Sequence, residues 1–207
     1  MITATPRPAP LPHVPSVRTP AAHLPAVRPP AVRPPAVRPP SVRLPSVRAA
    51  REEDAPALVC LSEPFVRSGA LRERPAALYA AQASDFLVAD VPGGPLEGCV
   101  GLRVHPADPE DPADPADPEQ GRAATGVLYN FCVAGHQQGR GVGGGLMRAV
   151  LVAARARSLG ALFTATTGGG DLFLRYGFVP ASARQAPPAW ADSLDPRRNA
   201  RILSLSL

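Results

Sequence analysis

Apolar and polar positions between residues 46 and 207 follow two periods, and the switches between them predict a layered chain. Val47 to Ala50 reads as a first strand, running into Glu52-Glu53-Asp54-Ala55-Pro56, an acidic helix start with proline in the first turn. Short helices are predicted over Ala55 to Leu61 and over residues 74–82. Phe86 to Ala89 reads as a strand, Val91 to Pro95 as a hairpin turn and Gly98 to Val104 as the partner strand. The apolar run Leu128 to Val133 reads as a central strand. Beyond a glycine-rich stretch, Leu146, Ala149, Val150 and Ala153 recur on one helical face, with Arg148, Arg155 and Arg157 largely off it, up to Gly160. Ala161 to Thr166 is the next strand, Asp171 to Tyr176 a short helix, and Phe178-Val179 the start of another strand. Ile202 to Leu207 alternates apolar residues with Ser204 and Ser206, as a half-buried strand does. The expected class is α/β, a mixed central sheet flanked by helices.

Two segments break the pattern. From Val17 onward the chain repeats Pro-Ser-Val-Arg or Pro-Ala-Val-Arg, with valines at 27, 32, 37, 42 and 47. Prolines this frequent exclude helix and sheet interior, so residues 1–45 are expected to be a disordered Pro/Arg-rich tail and 46–207 the folded domain. The final copy, Ser46-Val47-Arg48, merges into the first strand, so the tail reads as tandem duplication of that strand's coding sequence. Residues 105–121 form an acidic, Pro-rich insertion of Asp-Pro-Ala and Asp-Pro-Glu units, read as a solvated loop rather than a metal site.

Charge follows this division. The formal net charge of +5 is +7 from residues 1–48, which hold seven arginines and no acid, and −2 from the remainder. Lysine is absent, and the tail lacks interleaved aromatic residues, so a nucleic-acid arm is not expected. Cys60, Cys99 and Cys132 sit in apolar runs without C-x-x-C spacing, as buried thiols of a reducing compartment do. No apolar run approaches the roughly 20 residues of a membrane helix, and prolines at 6, 8, 10, 12 and 15 preclude a signal-peptide core. A cytoplasmic protein without membrane or metal is therefore expected.

The candidate chemistry lies between Val133 and Met147. Gln138-Gly139-Arg140-Gly141-Val142-Gly143 has the form Q-x-x-G-x-G between a strand and a helix. Glycines let the backbone turn sharply there, and the helix start presents free N–H groups and a positive dipole end to an anion such as a pyrophosphate. A dinucleotide fingerprint on Gly139, Gly141 and Gly144 lacks its acidic residue about 20 positions on, and a phosphate loop requires the missing lysine. An acyl-CoA pyrophosphate loop remains, beside a glycine turn that holds no ligand.

This loop, followed about forty residues on by Phe173-Leu174-Arg175-Tyr176-Gly177-Phe178, resembles the GNAT acetyltransferases. Leu61-Ser-Glu-Pro-Phe65, Phe86-Leu-Val-Ala-Asp90 with Gly98-Cys99, and Arg197-Arg198-Asn199-Ala200-Arg201 further resemble the short bacterial N-acetylglutamate synthases. The resemblance covers residues 46–207 and implies a GNAT-like mixed sheet. It implies acetyl transfer from acetyl-CoA to the α-amine of an amino acid, glutamate first, as at the entry to arginine synthesis. Val133, Gln138, Gly139, Arg140, Gly141, Val142 and Gly143 would bind the acetyl-CoA. A backbone N–H near Cys132 or Val133 would polarise the thioester oxygen, and Tyr129 is a candidate proton donor. Arg197, Arg198 and Arg201 are candidates for the acceptor's carboxylates. The partners implied are acetyl-CoA and a small amine, and a homodimer is compatible with both. The family's usual strand Glu is replaced by Val127 and a frequent Arg by Tyr129, while Phe173 stands at the position of a common acid. Tyr129, Tyr176, His136 and Asp171 are then the protonatable groups near the site. Another amino acid, an amino-acid-like toxin, or acyl-CoA binding without catalysis remain open.

Overall fold

The computed structural model describes residues 45–107, 123–168 and 170–207. The repeat tail and most of the acidic insertion, together with their expected disorder, lie outside the described residues. Among the described residues, seven strands form one sheet in the order β1-β2-β3-β4-β5-β7-β6. They are β1 (Ser46–Ala49), β2 (Phe86–Asp90), β3 (Leu96–His105), β4 (Thr125–Val133), β5 (Ala161–Thr166), β6 (Val179–Pro180) and β7 (Arg201–Ser206). Only β4 and β5 pair in parallel, so the sheet is mixed, as expected.

Among the described residues, five α-helices cover the sheet: α1 (Ala55–Arg67), α2 (Ala76–Ala81), α3 (Val142–Ala156), α4 (Asp171–Arg175) and α5 (Pro188–Ala191). Leu146, Met147, Val150 and Ala154 of α3 bury against Val100, Leu102, Leu128 and Leu162. Leu58 and Leu61 of α1, with Tyr79 of α2, cover the opposite face over Phe86, Val88, Cys99 and Cys132. Fully burying each such side chain contributes about 1.5–3 kcal/mol.

α1 runs one and a half turns past its expected end, through Pro64. A proline inside a helix removes the hydrogen bond to the carbonyl four residues earlier, here that of Cys60. Cys60 is exposed, so that carbonyl can be solvated. Its thiol thereby departs from the expected burial, whereas Cys99 and Cys132 are buried. The strand expected at Phe178 holds only Val179–Pro180, because Phe178 instead packs its ring against Phe173 at 5.5 Å. Helix α5 was not apparent in the sequence pattern.

The last repeat copy is built into the sheet. Val47 packs on the α3 core, and Arg48 donates to Asp90 Oδ2 (2.8 Å) and to both oxygens of Asp54 (2.7 and 2.9 Å). That ion pairing, chiefly the hydrogen bond from Arg48, holds the Asp54 carboxyl below the usual carboxylate range.

Candidate functional site

The site grows from one irregularity in β4. Cys99 pairs with Cys132 and Gly101 with Tyr129, so β4 carries one more residue across this interval than β3 does. The bulge falls on Asn130, whose φ of +52° lies in the left-handed region that asparagine tolerates better than most residues. It reverses the alternation of side chains. Leu128 before it and Phe131 and Val133 after it face α3, while Tyr129, Asn130 and Cys132 face α1 and α2.

Buried polar contacts pin the bulge. Asn130 Nδ2 donates to Ser62 Oγ (3.2 Å) and Tyr79 Oη (3.0 Å), and those two hydroxyls lie 2.8 Å apart. The Cys99 thiol donates to Asn130 O at 3.4 Å, with Cys132 Sγ equally close. Contact with Cys132, then burial, raises the Cys99 pKa, so it stays a neutral thiol.

Beyond the bulge the two parallel strands part. β4 and β5 are in register only from Thr125↔Ala161 to Leu128↔Thr164, with Thr164 Oγ1 donating to Leu128 O at the fork (3.2 Å). The amide of Ala134 donates to Glu97 O on β3 (2.9 Å). Since N–H groups alternate along a strand, Cys132 N–H points toward β3 and Val133 N–H into the fork. Val133 O opens to the same side and accepts from Gln138 Nε2 at 3.1 Å.

The glycine loop closes one end of this fork. Gly139 (φ +76°) and Gly141 (φ +91°) both require glycine's freedom, and Gly141 caps α3. Among the described residues, the amides of Gly139, Gly141, Val142, Gly143 and Gly144 have no backbone acceptor. The first turn of α3 carries no acid, and Arg140 is exposed beside it. These features fit a pyrophosphate: unpaired donors, a dipole end and one guanidinium. Tyr176 Oη donates to Gly144 O (3.1 Å) and accepts from Arg148 (3.3 Å), bracing α4 against this turn.

The other end of the fork opens into a cavity of about 390 Å³ lined by Arg72, Arg74, Arg103, Arg198, Tyr129 and Asn130, with His105, Val127 and Trp190 among its other walls. Tyr129 stands between two guanidiniums, with Arg74 5.1 Å and Arg103 5.0 Å from its ring centroid. Its hydroxyl donates to Asp85 Oδ2 at 3.0 Å. Burial, reinforced by the Asp85 carboxylate, raises the Tyr129 pKa and keeps the phenol protonated.

Of the three arginines singled out in the sequence, Arg198 lines the cavity and donates to Gly69 O (2.6 Å) and Ala70 O (2.7 Å). Arg197 and Arg201 are exposed and are not part of the lining. His136 Nε2 approaches buried Glu97 Oε2 at 2.8 Å but is poorly aligned for a hydrogen bond, and Asp171 is exposed on α4. Arg72, Arg74, Arg103 and His105 were not anticipated. A charged residue inside the otherwise apolar Gly98–Val104 strand was the one sign of Arg103.

No family model and no curated protein matches the chain. Solved structures do, and the class they define is the GNAT acetyltransferase fold, which this chain shares. N-acetylglutamate synthase from Neisseria gonorrhoeae, complexed with coenzyme A and N-acetyl-glutamate, is 25% identical with a TM-score of 0.65. That match covers 80% of this chain and 35% of the synthase, so this chain spans about a third of that protein's length. A Mycobacterium tuberculosis protein in complex with CoA and NLQ has a TM-score of 0.62 at 22% identity, covering 79% of this chain and 99% of its own. A GCN5-related N-acetyltransferase from Kribbella flavida has a TM-score of 0.53 at 20% identity, covering 79% and 98%.

Proposed function

We propose that this chain is an N-acetyltransferase that moves acetyl from acetyl-CoA to the α-amine of an amino acid, with L-glutamate the favoured acceptor. One observation carries the reading: the unpaired amides at the start of α3 and an arginine-lined cavity open onto the same fork between β4 and β5. The donor's pyrophosphate would rest on Gly139, Gly141, Val142 and Gly143, with Arg140 adding charge and Gln138 moving aside from Val133 O. Its thioester would lie along the open edge of β4. The acceptor's carboxylates would meet the arginines of the cavity.

The chemistry needs little more than this placement. A neutral amine attacks the thioester carbonyl, the C–S bond breaks as the C–N bond is kept, and the coenzyme A thiolate leaves and takes up the proton that the amide nitrogen sheds. Val133 N–H is the backbone donor directed at the developing oxyanion; Cys132 N–H, turned to β3, is the poorer candidate. Tyr129, protonated and bonded to Asp85, serves the cavity's shape rather than proton transfer. The arginines disfavour a further positive charge in the cavity, which lowers the acceptor ammonium's pKa so that it releases its proton to water and becomes the reactive amine.

The reading is tested by calorimetric titration with acetyl-CoA and by identifying the product formed with glutamate in mass spectra. Saturable binding and N-acetylglutamate are expected. An acetylated product from other amino acids but not from glutamate would move the acceptor elsewhere. Absence of acetyl-CoA binding would remove the reading.

A further inference from the structure

Away from the cavity, two nucleophilic side chains lie buried side by side, and the proposed chemistry uses neither thiol. Cys99 of β3 pairs directly with Cys132 of β4 in antiparallel register, and both point into the core under α1 and α2. Their sulfurs are 3.4 Å apart. Two residues along each strand, the Ala134 amide bonds Glu97 O, so by alternation Cys99 and Cys132 also form a hydrogen-bonded pair. The Cα atoms of such a pair stand about 5.5 Å apart, a spacing that a disulfide spans. Cys99 is fully buried, whereas Cys132 keeps 2% of its surface exposed. Both sulfurs bear on the candidate site. The Cys99 thiol donates to Asn130 O in the bulge, and Cys132 directly precedes Val133, whose N–H points into the fork.

We propose that Cys99 and Cys132 are a reversible disulfide site, closed by a small neutral peroxide and opened by a thiol reductant, and that the link displaces the open edge of β4. The link stands apart from the acetyltransferase reading, whereas its effect on acetyl-CoA rests on that reading. Burial admits only a small, uncharged oxidant, and Cys132 is the sulfur it reaches first. The Cys132 sulfur attacks one peroxide oxygen, the O–O bond breaks, and the thiol proton leaves with the departing hydroxide as water. The sulfenic acid so formed lies against Cys99. The Cys99 sulfur attacks the sulfenic sulfur, the S–O bond breaks, and the second proton leaves with that hydroxide as a second water. Two thiols are oxidised and one peroxide is reduced. Closing the bond draws the sulfurs from 3.4 Å to about 2.0 Å and takes the S–H donor from Asn130 O. Cys132 moves toward β3 and turns the Val133 amide from the fork. The hydrogen-bonded ladder resists that approach, so the link forms under strain and is readily reduced.

The full chain carrying Cys60→Ser, which removes the exposed thiol, is treated with hydrogen peroxide, then denatured and alkylated. Peptide mass spectra should show Cys99 joined to Cys132 within one chain, and dithiothreitol should return both as free thiols. Calorimetry on the folded samples should show the Kd for acetyl-CoA rising at least about tenfold on oxidation and recovering on reduction. Cys99→Ser keeps a hydroxyl donor for Asn130 O and cannot form the link, so peroxide should leave its Kd within twofold of its own untreated value. Amide hydrogen exchange over residues 130–133 gives a readout free of any ligand, and it should change on oxidation only where both cysteines are present. Both thiols remaining free, or each oxidised singly without a link, would overturn the site. A link that leaves exchange unaltered, or a peroxide effect as large in Cys99→Ser, would overturn its hold on β4. A reduced protein that does not bind acetyl-CoA would be the failure of the acetyltransferase reading, with the link still decided by the mass spectra and the exchange.

Discussion

Alanine at two glycines of the same loop should move stability in opposite directions, and only one of the two should weaken acetyl-CoA binding. Gly141 has φ +91°, and an added Cβ would meet nothing within 4 Å. Gly141→Ala therefore costs backbone strain alone, about 1–2 kcal/mol for an L-residue in the left-handed region. Gly143 lies inside α3 with helical backbone, and its Cβ would sit 3.4 Å from Leu172 Cδ2 and 3.6 Å from Val133 Cγ2, ordinary contacts. Gly143→Ala should stabilise by about 0.5–1 kcal/mol by restricting the unfolded chain. For a folded part of this size each kcal/mol is about 2–4 °C in melting temperature, so one variant should melt lower and the other higher. Only Gly141→Ala should bind acetyl-CoA more weakly: its methyl enters the open space of the turn and strains the backbone that aims the amides, whereas at Gly143 the methyl turns onto Leu172, Val133 and Phe131 and leaves the amide in place. A turn strained at position 141 that shifts one amide off the charged group gives up about 1.5–3 kcal/mol, at least a tenfold rise in Kd. Thermal melts and calorimetry read both quantities on the same samples. A Gly141→Ala protein that is still folded at the assay temperature yet binds acetyl-CoA within twofold of wild type would refute the cradle, with Gly143→Ala as the control that keeps its affinity.

Three further outcomes follow from the same geometry. Arg48→Met leaves Asp54 and Asp90 without their partner and should destabilise by about 1–3 kcal/mol in urea unfolding at pH 7. Asp54's folded pKa is depressed, so its stabilisation is full above the unfolded value and is lost as pH falls through the folded one. The wild type should therefore lose more stability than Arg48→Met on acidification from pH 5 to 2, and parallel curves would contradict the ion-pair account. Asn130→Ala removes the donor that ties the bulge to Ser62 and Tyr79, leaving buried hydroxyls short of a partner. It should cost about 1–3 kcal/mol and slow transfer by misplacing β4's open edge; unchanged melting and rate would refute the bulge's role. Removing residues 1–44 should leave melting temperature and acetyl-CoA affinity unaltered, whereas removing 1–50 takes away β1 and Arg48 and should lower the melting temperature by several degrees.

What could be read from the sequence, and what could not, divides by the range of the interactions involved. The strands around Phe86, Val100 and Leu162 carry their burial in local periodicity, and the Gln138–Gly143 loop announces itself because glycine and a helix start are local features. The bulge does not: Asn130 reads as one more residue in an apolar run, and only pairing with β3 turns it and Tyr129 to the same face. The cavity's arginines are spread from Arg72 to Arg198, and adjacency in space arises from the sheet order and from Arg198 reaching the carbonyls of Gly69 and Ala70. The sequence favours Arg201 of the three, because it adjoins the last strand, whereas a three-residue 3₁₀ turn, Pro196–Arg198, brings Arg198 to the cavity. Helix α5 is four residues long, below the length at which a 3.6 period can be recognised.

Transfer of acetyl from acetyl-CoA to an amino-acid amine is measured most directly by free-thiol release. The protein is mixed with acetyl-CoA and, one at a time, with a panel of amino acids. Thiol release is expected to saturate with glutamate, to exceed the rate without acceptor, and to fall through a raised KM in Arg198→Ala, since a carboxylate contact contributes mainly ground-state binding. Tight acetyl-CoA binding with no thiol release from any amine would contradict it.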